Sequence, residues 1–153
     1  MTLALRDGTA DDAGVLAPLF AALGYPVEPA TLRARLSAML ADDRTARILV
    51  ATNDGVNVGF ACLHETPMPH RPTAVGRITA IAVLQDARGS GAGRLLVEAA
   101  EAHFVSRGIA RIEVTSGDNH AAAHSFYRHL GYADNGIRFA KPLARQDPAA
   151  AAH

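Results

Sequence analysis

Apolar residues recur along this chain with two different periods, and together they predict a fold that mixes strands and helices. Segments that alternate or are rich in branched residues predict strands at LALRDGT, ARILVATND, DGVNVGFACLHE, GRITAIAVL, IARIEVTS and GIRFAKPL. Segments with apolar residues three and four apart predict helices at TADDAGVLAPLFAAL, EPATLRARLSAML, GAGRLLVEAAEAHF and NHAAAHSFYRHL. The order βααβββαβαβ, with room for one more strand near Tyr132, predicts an α/β (α+β) fold with helices on both faces of a mixed sheet.

Length and composition fit one domain with a hydrophobic core. The chain has 153 residues, of which 49% are hydrophobic and 20% charged, an ordinary globular balance. We expect a single domain over residues 1–143 and a flexible tail over residues 144–153, because ARQDPAAAAH has little to bury.

Charge and cysteine usage exclude several classes of protein. Fifteen Lys plus Arg offset fifteen Asp plus Glu, so net charge favours neither nucleic acid nor an anionic membrane as partner. No apolar run approaches the roughly 20 residues of a membrane span. Cys62 is the only cysteine, which excludes an intrachain disulfide, and in an apolar strand it is expected in the core. We therefore expect a cytoplasmic protein without a metal site.

A glycine-rich segment, RGSGAGR, lies between a predicted strand and a predicted helix. The first N–H groups of a helix have no intrahelical partner and lie at the positive end of its dipole. Gly89, Gly91 and Gly93 remove the Cβ atoms that would hold a phosphate away, and Arg88 adds a positive charge. These residues predict a pyrophosphate site.

Three classes of phosphate site, and a turn without a ligand, compete for this segment. A P-loop ends in Gly-Lys-Ser/Thr, whereas this loop ends in Gly-Arg-Leu. A dinucleotide fold needs GxGxxG directly after its strand, whereas this loop has GxGxG after four further residues. The coenzyme A site, which holds a phosphopantetheine arm and a pyrophosphate, is the third class.

Two motifs resemble the GNAT superfamily of N-acetyltransferases. ITAIAVLQDARGSGAGRLL resembles its acetyl-CoA segment, whose hallmark Arg/Gln-x-x-Gly-x-Gly/Ala is matched by Arg88, Gly91 and Gly93. AHSFYRHLGY resembles its second hallmark, Ala-x-x-x-Tyr followed by Gly-Tyr, with Ala123 and Tyr127 in place. The resemblance covers nearly the whole chain. It implies a single-domain GNAT-like fold with a mixed, mostly antiparallel sheet of six to seven strands, and an acetyl-CoA-dependent N-acetyltransferase.

The resemblance also implies which residues hold acetyl-CoA. Backbone groups of Ile81, Ala82 and Val83 would bind the pantetheine arm as if it were an extra strand, with an N–H near Ala82 polarising the thioester carbonyl. Asn119 lies near a position where many members carry an Asn that touches the cofactor. The pyrophosphate would be held by the loop residues Arg88, Gly89, Ser90, Gly91, Ala92, Gly93 and Arg94.

Proton transfer needs an acid and a base. By the resemblance, Tyr127 would act as general acid toward the leaving sulfur. Many members carry Glu where this chain has Arg77, so the base is open. His64 and Glu65, at the end of the preceding strand, are candidates, directly or through water. These two, and Glu113, also fit solvated strand residues.

The acceptor is the least defined part. FAALGYPVEP and HETPMPHRP lack the acidic cluster that a polycationic aminoglycoside would need, which leaves a small-molecule or peptide amine. The alternative function is a non-catalytic acyl-CoA-binding or sensing module, which the missing glutamate at Arg77 would favour. We expect a homodimer, because members of the family often pair through sheet ends and helices.

Overall fold

The computed structural model describes residues 1–42, 44–115 and 121–144. The chain divides after Ser116 into two compact units. Among the described residues, the first unit contains the sheet and three α-helices, and the second contains one α-helix.

The first unit is built on a five-stranded sheet whose strands follow chain order. Neighbouring strands from β1 to β4 pair antiparallel, and β5 joins β4 in parallel. The turn between β2 and β3 uses Asp54 and Gly55, both at positive φ, as a tight hairpin requires. The strands are β1 (Leu3–Asp7), β2 (Ala46–Asn53), β3 (Val56–Thr66), β4 (Val75–Val83) and β5 (Ile112–Val114).

Local signals in the sequence fix where the helices begin and end. Thr9 and Asp12 form a capping box just before α1, in which the Asp12 carboxylate accepts the Thr9 N–H at 2.8 Å. Pro29 occupies the first turn of α2, and Gly108, at φ +76°, follows α3. The helices are α1 (Ala13–Ala22), α2 (Pro29–Leu40), α3 (Ala92–Ser106) and, in the second unit, α4 (Ala121–His129).

Helices of the first unit cover both faces of the sheet. On one face, α1 and α2 form a core with β2 and β3. We call this the α1–α2 face. Helix α3 packs on β2, β3 and β4, where Leu96 approaches Gly59 and Phe104 approaches Gly76. Because Gly59 and the core residue Phe60 are consecutive in β3, their side-chain positions point to opposite faces. The α1–α2 core includes Leu16, Leu19, Leu32, Leu36, Ile48, Val50, Phe60 and Cys62.

The mixed, mostly antiparallel sheet and the helices on both faces are confirmed, whereas the prediction of six to seven strands is wrong. The described residues form five strands, with none in GIRFAKPL or near Tyr132. Ile137 and Phe139 favour an extended chain, but a strand also needs a partner for its backbone groups, which propensity cannot supply. The single domain over residues 1–143 stays a prediction, and residues 145–153 of the predicted tail lie outside the described residues.

Gly76 marks a close approach between β4 and α3. A Cβ built there would lie 2.5 Å from the Cγ and Cδ2 atoms of Phe104. We expect Gly76→Ala to lower the free energy of unfolding by about 1–3 kcal/mol, because it overpacks a filled interface. Chemical denaturation followed by circular dichroism measures the change. Gly14→Ala in α1, with no atom within 4 Å, is the control and should be neutral or stabilising by up to about 1 kcal/mol. Equal losses in both variants would contradict this packing.

Candidate functional site

Strand β4 parts from β5 midway along its length. The parallel pairing ends at Ile78 and Val114. Directly beyond, Thr79 is an extra residue in β4, because Leu63 pairs with Ile78 while Cys62 pairs with Ala80. From Thr79 to Val83, β4 has a partner on the β3 side only, among the residues that the structure describes. We call the other side of this segment the open edge.

Backbone groups of Ile81 and Val83 point toward the open edge. Leu84 N–H donates to the Val58 carbonyl at 2.8 Å. Hydrogen-bonded positions alternate along an antiparallel ladder, so Ala82, opposite Phe60, also bonds with β3. Ile81 and Val83 therefore present N–H and C=O groups outward. The N–H predicted near Ala82 to polarise a carbonyl is available at Ile81 and not at Ala82 itself.

The glycine loop connects the open edge to α3. A single 3-10 turn at Gln85–Ala87 is followed by the loop, and α3 begins at Ala92. Gly89 and Gly91 have φ of +81° and +93°, so the backbone requires both glycines whether or not a ligand binds. Gly93 lies in the first turn of α3, where glycine costs about 1 kcal/mol relative to alanine. Gly93 is not at positive φ, so its backbone conformation does not require glycine.

The start of α3 offers N–H donors. The first backbone bond of the helix runs from Leu95 N–H to the Gly91 carbonyl at 3.0 Å, so the three preceding N–H groups lack helical partners. Ala92 N–H donates to Ser90 Oγ at 3.3 Å. The N–H groups of Gly93 and Arg94 lie at the positive end of the helix dipole. This arrangement can bind an anion.

Two arginines flank these donors in different ways. Arg88 is exposed beside the loop. The Arg94 guanidinium donates to Glu98 one turn along α3 at 2.7 Å, a hydrogen bond that raises the pKa of Arg94. Arg94 therefore has a carboxylate partner already, and Arg88 is the better candidate to meet a ligand's charge.

Tyr127 lies on α4, in the second unit. Its ring packs edge-on against Phe126, with centroids 5.2 Å apart, and tilts against Tyr132 at 5.8 Å. Burial raises the pKa of Tyr127 to about 12, so the phenol stays protonated at neutral pH. A protonated phenol can act as a general acid. Asn119 lies outside the described residues.

His64 and Glu65, the two candidate bases, point to opposite faces of the sheet. His64 is two residues from Cys62 and shares its α1–α2 face. Glu65 faces α3, where Arg107 donates to both of its carboxylate oxygens at 2.7 and 3.3 Å. Because the Glu65 side chain is only 12% exposed and bound at both oxygens, we interpret it as structural.

The side chain of Arg77 is bound to Glu113 on the neighbouring strand. Arg77 Nη1 donates to Glu113 Oε1 at 2.9 Å, and Nη2 donates to Thr115 Oγ1 at 3.1 Å. Arg111 Nε donates to Glu113 Oε2 at 2.8 Å. The Arg111 hydrogen bond, with the charges of Arg111 and Arg77, lowers the pKa of Glu113. No local sequence pattern predicts this group of charged residues, because it depends on the register of β4 against β5.

The remaining predictions concern metal binding, membranes, location and oligomeric state. Among the described residues, no group of three or more His, Cys, Asp or Glu could hold a metal ion. Within the same ranges, no helix is long and apolar enough to cross a membrane. The following stay predictions: a cytoplasmic location, a homodimer, and the absence of a metal, a nucleic acid partner or a membrane partner.

Comparison with known proteins places the chain in a family. Residues 17–132 match the model of the acetyltransferase (GNAT) family. That range is more than half of the chain, which therefore belongs to this family. The resemblance drawn from the two sequence motifs is confirmed.

Individual relatives agree with this assignment. A mycothiol acetyltransferase from Tsukamurella paurometabola is 28% identical over 147 residues, which cover 88% of this chain and 49% of that protein. An aminoalkylphosphonate N-acetyltransferase from Salmonella typhimurium is 30% identical over 101 residues, 66% of each chain. The chain thus spans about half the length of the first relative and about two thirds of the length of the second. Among solved structures, a candidate acetyltransferase from Agrobacterium tumefaciens str. C58 superposes with a TM-score of 0.80 at 26% identity, covering 92% of this chain and 99% of that one.

Cys62 is a core residue, as predicted, and we expect it to be unreactive. It is 4% exposed, and burial raises the pKa of its thiol to about 12, so almost no nucleophilic thiolate exists at neutral pH. The folded protein should not react with a chromogenic aromatic disulfide at about pH 8, and denaturant should release one thiol equivalent. Fast reaction in the folded state would contradict the buried placement.

Proposed function

We propose that the protein is an acetyl-CoA-dependent N-acetyltransferase that acetylates a primary amine of a small molecule or peptide. One observation carries the proposal. The open edge of β4, with the outward backbone groups of Ile81 and Val83, continues directly into the glycine loop at the start of α3. Coenzyme A has amide groups in its pantetheine arm followed by a pyrophosphate, and the site offers a strand edge followed by an anion site in the same order. The names of the relatives support acetyl transfer.

In this proposal the reaction takes place in a ternary complex without a covalent acyl-enzyme. The amine nitrogen attacks the thioester carbonyl carbon, the carbon–sulfur bond breaks, and the amine loses a proton. Ile81 N–H would donate to the carbonyl oxygen as negative charge develops on it. Val83 would pair with the pantetheine arm. Cys62 has no part, because its thiol is buried in the core.

Proton transfer is assigned to two residues. Tyr127, from the family motif, would protonate the leaving sulfur, and its pKa of about 12 keeps the proton available at neutral pH. His64 is the remaining candidate base, because Glu65 is bound to Arg107 and Glu113 to two arginines. An acceptor amine that is partly deprotonated in solution would need little help from the protein.

The alternative is a non-catalytic module that binds acyl-CoA. The pairing of Arg77 with Glu113 favours it, because the resemblance implies a glutamate where this chain has the guanidinium of Arg77. An assay of thiol release from acetyl-CoA, run with a broad panel of amines, separates the two. Binding of acetyl-CoA without release for any amine would support the module.

The glycine loop is tested by Gly91→Ala. We expect acetyl-CoA binding, measured by calorimetry, to weaken at least tenfold, or about 1.4 kcal/mol, because the loop would distort and its N–H groups turn away from the phosphates. The control is Gly108→Ala at the other end of α3. Both glycines have positive φ, +93° and +76°, and neither Cβ meets a close neighbour, so their stability losses should be similar. Equal affinity in the two variants would remove the loop from the binding site.

The general acid is tested by Tyr127→Phe, which removes the hydroxyl and keeps the ring. We expect kcat to fall by roughly 10²–10⁴, the usual contribution of general acid catalysis, with acetyl-CoA affinity within a few-fold. The fall should appear in kcat more than in KM, since the thiolate develops only as the bond breaks. Thermal unfolding and cofactor binding serve as controls. An unchanged kcat in a folded variant would make Tyr127 a packing residue.

A further inference from the structure

We propose that the acceptor amine also carries an acidic group, such as a carboxylate or phosphonate, which binds to three arginines at the start of β4 and β5. These are Arg77 and Arg111, which both bind Glu113, and Arg71 in the loop before β4; we call them the arginine cluster. The inference rests on the proposed acetyl transfer and narrows its substrate class from amines in general to small amino acids or aminophosphonates.

The arginine cluster has more positive charge than its carboxylate can neutralise. Arg77 and Arg111 each donate to one oxygen of Glu113, at 2.9 and 2.8 Å. The charge of Arg71 also acts on Glu113. Three cations facing one anion leave a surplus of two positive charges. The whole chain has equal numbers of acidic and basic residues, so the surplus is local.

Among the residues that the structure describes, neighbouring elements add no carboxylate on this face of the sheet to balance the surplus. His64 lies beside Arg77 on β3, and residues 67–74 between β3 and β4 include His70 but no acidic residue. Glu65 faces α3 on the other side of the sheet, bound to Arg107. Within the described residues, Glu113 is therefore the single acid of these elements that lies on the cluster's side of the sheet.

The side chains are partly withdrawn from water, which makes the surplus costly. The side chains of Arg77, Arg111 and Glu113 are 31%, 34% and 26% exposed. Charges in such positions are screened less than exposed ones, so repulsion between guanidiniums is stronger and an added anion binds more tightly. A guanidinium has five N–H donors, and in the described part of the chain Arg77 uses one nitrogen on Glu113 and one on Thr115. Donors on both arginines remain for a bidentate acid.

The cluster borders the point at which the open edge begins. Arg77 and Glu113 are paired one residue before the last β4–β5 pair, Ile78 with Val114. Arg77 also pairs with His64, which shares the α1–α2 face with Cys62. Ile81 lies four residues beyond Arg77, which is about 13 Å between their Cα atoms along a strand. The long side chain of Arg77 can bring its guanidinium closer to Ile81 than that. A small acceptor can thus place its acid on the arginines and its amine near Ile81.

A purely structural role explains the arrangement less well. One arginine would satisfy Glu113 as a cross-strand ion pair, and Arg77 alone provides that pair. Arg111 repeats the interaction from the residue just before β5, and Arg71 comes from a loop that has no acidic residue. Arg111 and Arg71 are therefore not needed to pair the two strands.

The first test measures anion binding without any turnover. Methylphosphonate, which has an acid and no amine, is titrated by calorimetry into the wild-type protein and into Arg71→Gln/Arg111→Gln. We expect binding to the wild type and at least tenfold weaker binding to the double variant. Arg44→Gln, an exposed arginine distant in sequence from the cluster, is the control and should bind as the wild type does. Equal binding to wild type and double variant, or none to either, would overturn the inference.

A second variant acts in the opposite direction. Glu113→Gln removes the carboxylate that competes for the arginines, so methylphosphonate should bind several-fold more tightly. A variant that was only destabilised could not bind more tightly, which separates this result from a folding defect. Weaker binding to a folded Glu113→Gln would count against the cluster as an anion site.

Turnover then connects the cluster to the acceptor. We compare kcat/KM for β-alanine with that for its neutral amide, and for aminoethylphosphonate with that for ethanolamine. The acidic partner of each pair should be favoured at least tenfold, and Arg71→Gln/Arg111→Gln should remove the preference by raising the acceptor KM while the KM of acetyl-CoA stays constant. If the wild-type protein preferred neutral or polycationic amines, the proposal of an acidic amine as acceptor would be wrong. If methylphosphonate binds but no amine is acetylated, the proposed enzyme fails and the anion site stands.

Discussion

The extra residue Thr79 in β4 is the feature on which the rest of the candidate site depends. A regular strand would continue to pair with a neighbour on each side. The bulge is held by a hydrogen bond from Thr79 Oγ1 to the Cys62 carbonyl at 3.3 Å, and it coincides with the end of the pairing between β4 and β5. Backbone groups beyond it have no partner on that side in the described chain. Because unpaired backbone groups are costly when buried, such an edge favours a ligand that can pair with it.

The same bulge sets the faces of the side chains around it. Arg77 before the bulge and Ala80 after it are both on the α1–α2 face, although they are three positions apart. An uninterrupted strand would place positions three apart on opposite faces. Charged side chains at the start of β4 therefore share a face with the small alanines beside Ile81. The shared face is what allows one acceptor to contact both.

The motifs predicted much of the site, and the register decided the remainder. The glycine loop was predicted from glycine density and Arg88, and the structure adds that Gly89 and Gly91 are required by their positive φ. Glu65 and His64 look equivalent in sequence. Because side chains alternate between the two faces of a strand, Glu65 faces α3, where Arg107 binds both of its carboxylate oxygens. The pairing of Arg77 with Glu113 joins residues 36 positions apart, which no local pattern reveals.

Sequence alone determined the order of elements from β1 to α4, the start of α1 and α2, the tight turn at Asp54–Gly55 and the family, because caps, turns and the cofactor motif are local. The number of strands and the partners of the charged residues were decided by the tertiary structure. GIRFAKPL has the composition of a strand and forms none among the described residues, since a strand exists only where another backbone accepts its hydrogen bonds. Charged side chains follow the same rule: an arginine is a ligand site, a structural ion pair or a solvated surface residue according to which strand lies beside it.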